Sequence, residues 1–378
     1  MPATASRDIA VLPDTAELSS PEAVLRALRA TRSRTLELVA HVDTADMERV
    51  LSPIMSPLVW DLAHIAAYED LWLVHRHAGV ELLHPELAEL YDAFETPRKK
   101  RGEVKLLDTA QAHSYMEDVS ERSAAAIERH GVGDGLVHEM VVRHELQHTE
   151  TMRQTMTLAD LLPPGEPPQA PMTGPEEWIK IPAGDFEMGA GPEGFAYDNE
   201  RPRHTARTGP FHIARRPVSK ASWLHFSEGG GYERREWWSD EGWAWKEEYD
   251  ITHCAGAATG DPQAPVCHVS WFEADAFARA NEARLPTEAE WERAATWEQG
   301  IDGVGRVWEW TSTAFHGYPG FKPYPYREYS EVFFGPKYRV LRGGSWATHP
   351  RVATRTFRNW DLPQRRQIFS GLRLTKDV

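Results

Sequence analysis

The sequence predicts an α+β protein in two parts, an N-terminal four-helix bundle over residues 1–161 and a strand-containing part over 177–378. Three observations carry that expectation. Apolar side chains recur at helical spacing through the first part. Residues 162–176 are crowded with Pro163, Pro164, Pro167, Pro168, Pro171 and Pro175. Beyond them the apolar period shortens to two, and glycines and aromatics become dense. A proline lacks the N–H that a helix needs, so the middle stretch reads as an interdomain linker. A chain of 378 residues is long enough to bury two cores.

Ser20-Pro21-Glu22 opens the first helix with a capping serine, a proline at the first helical position and an acid in the first turn. Val24, Leu25, Leu28, Leu36 and Val39 supply its apolar stripe. A second helix is predicted from about Pro57 to His77 and carries His64 beside Leu62, Ile65 and Leu71. The third begins near Asp108 and ends before Gly131, with Met116, Val119, Ala126 and Ile127 on one side. The fourth, from about Gly135 to Leu161, sets Val137, Met140, Val141, Met152 and Met156 around a histidine pair. After the linker, Trp178-Ile179-Lys180-Ile181 and Phe186-Glu187-Met188 alternate like short strands. Two short helices are marked, one over Ser270 to Asn281 and one opened by the capping box Thr287-x-x-Glu290. The remainder to the C-terminus reads as irregular and loop-rich.

Composition narrows the function. Hydrophobic residues make up 41% and charged residues 26%, ordinary for a globular protein. A net charge of −15 argues against a nucleic-acid partner. Cys254 and Cys267 are the only cysteines, which excludes a disulfide framework or a multi-cysteine metal site and suits a reducing cytoplasm. There is no run of 18 apolar residues and no signal-peptide core at the polar N-terminus, so a cytoplasmic, non-membrane protein is expected. The oligomeric state is left open.

The chemistry-bearing stretch is Arg143-His144-Glu145-Leu146-Gln147-His148-Thr149-Glu150. Histidines four apart share one helix face and can reach one metal ion. Burying two imidazoles without partners costs about 1–3 kcal/mol each, and a metal would satisfy both. A third candidate is His64, although a single histidine on an apolar face is more often a hydrogen-bonded core residue. His75, His77, His113 and His130 lie near helix ends or in polar surroundings and read as solvated. The octet also spells HExxH, the zinc-peptidase pattern with Glu145 as general base, but no further histidine ligand follows before the prolines. Three neutral histidines would instead suit iron(II) with positions open for dioxygen and a thiolate substrate.

In company, these residues resemble the ergothioneine sulfoxide synthases, or hercynine oxygenases. Leu58-Val59-Trp60-Asp61-Leu62-Ala63-His64 and the His-x-x-x-His-x-Glu at 144–150 resemble their DinB-like four-helix bundle. The second part resembles their formylglycine-generating-enzyme-type domain, a C-type-lectin-like fold. The stretches that carry this likeness are 198–204, Arg284-Leu285-Pro286-Thr287-Glu288-Ala289-Glu290-Trp291, Val307-Trp308-Glu309-Trp310-Thr311 and Arg342-Gly343-Gly344-Ser345-Trp346. The resemblance implies iron(II) held by His64, His144 and His148. It implies Gln147 on the substrate imidazole, and Asn359 and Trp360 around the trimethylammonium of hercynine. It places Arg98, Arg101, Asp361 and Arg365 on γ-glutamylcysteine, and makes Tyr326, with Tyr329 beside it, the proton donor. An indole face does attract a quaternary ammonium, by about 0.5–2 kcal/mol, although Trp360 by itself reads equally as a core aromatic. Arg98-Lys99-Lys100-Arg101 by itself reads as a solvated basic loop.

The implied reaction joins a thiol sulfur to C2 of hercynine with dioxygen as oxidant and oxidises that sulfur to the sulfoxide. All four electrons come from the two substrates, so no nicotinamide or flavin is needed. Both parts of the chain would then contribute to one site. Alternatives are a selenoneine synthase using a selenosugar on the same scaffold, a zinc metallopeptidase, and a non-catalytic binding module. A formylglycine-generating enzyme is disfavoured because the segment after Trp346 contains no cysteine. Glu150 reads as either a support for a ligand histidine or a structural residue.

Overall fold

The computed structural model describes residues 20–167, 171–172 and 177–378. The chain divides into two compact units between Pro164 and Gly165. Of the expected linker, residues 168–170 and 173–176 lie outside the described residues.

The first unit is built on four long helices. Helix α1 (Pro21–Val39) starts at Ser20, whose hydroxyl accepts from the Ala23 N–H. After the short α2 (Thr44–Glu48), helix α3 (Leu58–Glu69) is buried at every position except Tyr68. That near-complete burial puts it at the centre of the core rather than on an amphipathic face. It runs on without a break into a π-helical segment, Asp70–His77, so the expected helix to His77 changes its winding at Asp70. A further short helix, α4 (Pro85–Leu90), precedes α5 (Thr109–His130), which is opened by the capping box of Asp108 and Gln111. Gly131, at φ 74°, ends α5 in a conformation that disfavours a side chain. Helix α6 (Leu136–Leu158) follows.

Helices α1 and α3 each pack on both α5 and α6, which closes a four-helix bundle. Its core joins Leu58, Leu62, Ile65 and Ala66 of α3 to Met116 and Val119 of α5 and Met152 and Met156 of α6. His75, His113 and His130 are exposed, as expected. His77 is not fully solvated, because its ring packs edge-on against buried His138 at 4.7 Å.

The second unit is mixed. Strand β1 (Trp178–Ile181) pairs antiparallel with β4 (Phe211–Ala214), which also pairs with β9 (Thr375–Asp377). Strands β2 (Gly184–Met188) and β3 (His204–Thr208) form an antiparallel pair. Helices α7 (Lys220–Glu228), α8 (Asp240–Glu248), α9 (Trp271–Ala280) and α10 (Glu288–Thr296) follow; the last two were marked by Ser270 and Thr287.

The C-terminal region is loop-rich, as expected, but it also holds a sheet that the sequence did not predict. Strands β5 (Trp308–Phe315), β6 (Gly335–Arg342), β7 (Asn359–Asp361) and β8 (Ser370–Gly371) form a four-stranded sheet in the order β7-β6-β5-β8. Two features hid it. Register shifts interrupt the β5–β6 pairing, which breaks a period of two. Charged residues are also buried here in pairs, Arg342 with Glu288 and Glu292, and Arg373 with Glu309. Among the described residues no helix is long and apolar enough to cross a membrane.

Candidate metal centre

Helix α3 brings His64 against His144 and His148 of α6, so that one ligand-capable nitrogen from each lies within 4.8 Å of the others. Among the described residues this is the one such cluster. His64 is buried and the other two are half-buried. Spacing on α6 explains half of the convergence, since residues four apart are neighbours on one face. The other half is tertiary: His64 and His144 are 80 residues apart, yet their Nε2 atoms are separated by 3.1 Å.

The rings are held from behind. His64 Nδ1–H donates to the Tyr91 carbonyl at 2.6 Å. A carbonyl can only accept, so a neutral His64 must direct a bare lone pair from Nε2 into the cluster. His148 Nδ1–H likewise donates to Asp61 Oδ1 at 2.7 Å, which turns its own Nε2 inward. Asp61 is fully buried and sits one helical turn before His64, so α3 supplies both a ligand and the carboxylate that orients another. Burial, and then the neighbouring His148, hold His64 and His144 well below the usual imidazole range, so both are neutral.

Aromatic packing fixes the remaining faces. The Tyr68 ring stacks on His144 at 3.6 Å between centroids, with 9° between planes. Trp60 stacks on His64 at 4.4 Å, and the Arg101 guanidinium lies 3.3 Å from the centre of the Trp60 ring on its own account.

These residues fit a divalent transition metal. The lone pair on His64 Nε2 meets His144 Nε2 at hydrogen-bond distance, so a proton or a cation must lie between them. A proton on His144 would satisfy that pair alone. A cation accounts for all three inward nitrogens together, and three neutral imidazoles are a donor set suited to such an ion.

The zinc-peptidase alternative fails on geometry. Glu145 does not accompany the histidines; its carboxylate accepts from Arg32 Nε at 2.9 Å and is buried there. A general base needs to reach the substrate side of the metal. Gln147 is half-buried in the helical turn between His144 and His148, and Glu150 is buried one turn further on.

The two expected arginines occupy different settings. Arg98 begins a short turn of 3₁₀-helix, Arg98–Lys100, on the surface. Arg101 is buried, with Nε donating to the Thr96 carbonyl at 2.9 Å and Nη1 to the Ser56 hydroxyl at 2.5 Å. Burial lowers the Arg101 pKa to about 9, against the pull of Asp61. Of the basic stretch 98–101, Arg98 is therefore exposed and Arg101 buried.

In the second unit, the remaining expected site residues gather around β7. The Trp360 ring stacks on Phe315 at 4.2 Å, with Phe333 at 5.6 Å and Tyr329 edge-on at 5.9 Å. Tyr329 in turn stacks on Tyr197 and meets the Tyr326 ring at 6.2 Å. Asn359 Oδ1 accepts from the Trp360 N–H, and Asp361 pairs with Arg365 at 3.3 Å. Trp360 is thus a half-buried member of an aromatic cluster, with polar partners on the same strand.

Sequence reasoning gave no role to Asp61, Tyr68 or Tyr91. Asp61 carried a usable signal, a carboxylate three residues before a ligand histidine on one helix. Tyr91 acts through its backbone, which no side-chain pattern records.

Residues 27–152 match the DinB superfamily, and residues 163–303 and 298–378 match the sulfatase-modifying factor enzyme 1-like domain. The hercynine oxygenase of Mycolicibacterium thermoresistibile is 39% identical, over 93% of this chain and 94% of its own length. The hercynine oxygenase of Mycobacterium tuberculosis is 37% identical, over 96% of this chain and 100% of its own. A formylglycine-generating enzyme of Streptomyces coelicolor is 34% identical over 34% of this chain and 49% of its own length.

Proposed function

The chain belongs to the hercynine oxygenase family, and from that premise we propose that it is an iron(II)- and dioxygen-dependent sulfoxide synthase of ergothioneine biosynthesis. It joins the sulfur of γ-glutamylcysteine to C2 of the hercynine imidazole. The observation that carries this reading is the convergence of His64, His144 and His148 with their lone pairs turned inward. Iron(II) held there would supply the redox chemistry that couples dioxygen reduction to carbon–sulfur bond formation and sulfur oxidation.

The chain's own residues bind, orient and move protons. Gln147, in the turn between two ligands, hydrogen-bonds the hercynine imidazole and sets its C2 edge. Trp360 and Asn359 take the trimethylammonium end, the indole face by cation–π attraction. Arg98 and Arg101 hold donor carboxylates, while Asp361 takes the donor ammonium and Arg365 a carboxylate. The Asp361–Arg365 pair keeps those two groups preassembled with opposite charges side by side. Tyr326 delivers a proton as the carbon–sulfur bond forms, with Tyr329 as its neighbour.

The test is anaerobically reconstituted protein supplied with hercynine, γ-glutamylcysteine and then dioxygen. A carbon–sulfur adduct carrying one additional oxygen is the expected mass-spectrometric product. Its absence, with iron bound at one equivalent, would overturn the proposal. Competition between γ-glutamylcysteine and a selenosugar separates sulfur from selenium transfer.

A further inference from the structure

We propose that Arg32 is a positioning residue for the metal centre, a brace that sets the register of the two ligand-bearing helices. The inference rests on the reading of His64, His144 and His148 as a metal site. Arg32 projects from α1, which, like α5, contributes no residue to that site. Its Nε donates to Glu145 Oε1 at 2.9 Å, and its Nη2 to Glu145 Oε2 at 3.3 Å and Glu69 Oε2 at 2.7 Å. Its Nη1 donates to the Met116 carbonyl at 3.1 Å and the Ser120 hydroxyl at 2.9 Å. A guanidinium has five N–H donors, and each has an acceptor here.

Those acceptors belong to the other three long helices. Met116 and Ser120 lie on α5. Glu69 ends α3, little more than one turn after His64, and Glu145 adjoins His144 on α6. The Glu69 and Glu145 side chains are only 3% and 2% exposed, so Arg32 is the cation that neutralises both of them in the fold. Sliding or rotating α3 against α6 would break one of these bonds. The same movement would change the 3.1 Å separation of the His64 and His144 nitrogens, which also spans α3 and α6. The glutamate of the HExxH pattern therefore acts as a strut behind the site. Without Arg32, two buried carboxylates face each other with no counter-charge, and burial already pushes the Glu69 carboxyl upward despite Arg32.

Arg32 also lines a cleft of about 630 Å³ between α1 and α5, together with Glu69, Met116 and Ser120. A small cation can reach its place from outside, which gives the test a direct form. Full-length, metal-free protein is titrated anaerobically with cobalt(II), and both the dissociation constant and the ligand-field absorption are read. Arg32→Ala is expected to bind cobalt roughly tenfold more weakly, with altered band intensities, at a temperature where circular dichroism shows it folded. Millimolar guanidinium chloride should restore the wild-type affinity and spectrum, and sodium chloride at equal ionic strength should not.

A folded Arg32→Ala protein with wild-type affinity and spectrum would overturn the proposal. So would guanidinium that fails to rescue a weakened one, because the brace requires only a guanidinium between Glu69 and Glu145. If Arg32→Ala does not fold, Glu145→Gln keeps the side-chain size and removes the charge. It should weaken cobalt binding in the same way, and unchanged binding would be decisive against the brace. Wild-type protein that takes up no cobalt would instead overturn the metal-site reading itself.

Discussion

Asp198 offers a pH-dependence whose sign and size follow from its surroundings. It opens the short turn Asp198–Glu200 and is 4% exposed. The Ser330 hydroxyl and the Tyr324 N–H donate to its two oxygens, so it ties down the segment that carries Tyr326 and Tyr329. Burial pushes its carboxyl up from 3.8 to about 6, and these hydrogen bonds offset only part of that rise. Between those two values the folded chain holds a proton that the unfolded chain has released. Stability from this group is therefore complete below pH ~4, near the unfolded pKa of a carboxyl, and is lost as pH rises through the folded value.

A shift of about two units corresponds to about 3 kcal/mol at 1.36 kcal/mol per unit. Asp198→Asn cannot titrate, so the stability gap between variant and wild type isolates the term from every other titrating group. Unfolding of both proteins, measured from pH 4 to 8, should show the gap moving about 3 kcal/mol in the variant's favour as pH rises. Any constant cost of placing an amide beside the Tyr324 N–H cancels from that trend. A gap that stays flat across the range would refute the reasoning.

Three further outcomes are expected. Asp61→Asn should weaken cobalt or iron(II) binding roughly tenfold, because a neutral amide supports the His148 imidazole less well than a carboxylate; equilibrium metal titration measures this. Trp360→Leu should raise the KM for hercynine by up to about 30-fold, the equivalent of about 2 kcal/mol of cation–π attraction, with a smaller change for γ-glutamylcysteine. Cys254, whose thiol is pushed up to about 12 by burial and then by the Glu273 charge, should resist iodoacetamide at pH 8 in the native protein; mass spectrometry reads the adduct.

The bundle was legible because helical information is local. Ser20, Asp108, Ser270 and Thr287 each announce a helix start that the structure confirms by a hydrogen bond to a nearby backbone N–H. The β5–β7 strands were not legible. Their pairing depends on partners tens of residues away, and their buried charges, Glu309 and Arg342, imitate surface sequence until Arg373, Glu288 and Glu292 close on them.

The candidate site divides in the same way. The sequence determined that His144 and His148 share a face, since 3.6 residues per turn leaves no other arrangement on a helix. Packing alone brought His64 to them, turned Glu145 away onto Arg32, and buried Arg101 while leaving its neighbour Arg98 on the surface. Periodicity records which side of a helix a residue occupies. Which helix meets that side, and at what height, depends on contacts summed over the whole core, and no window of neighbouring residues contains that sum.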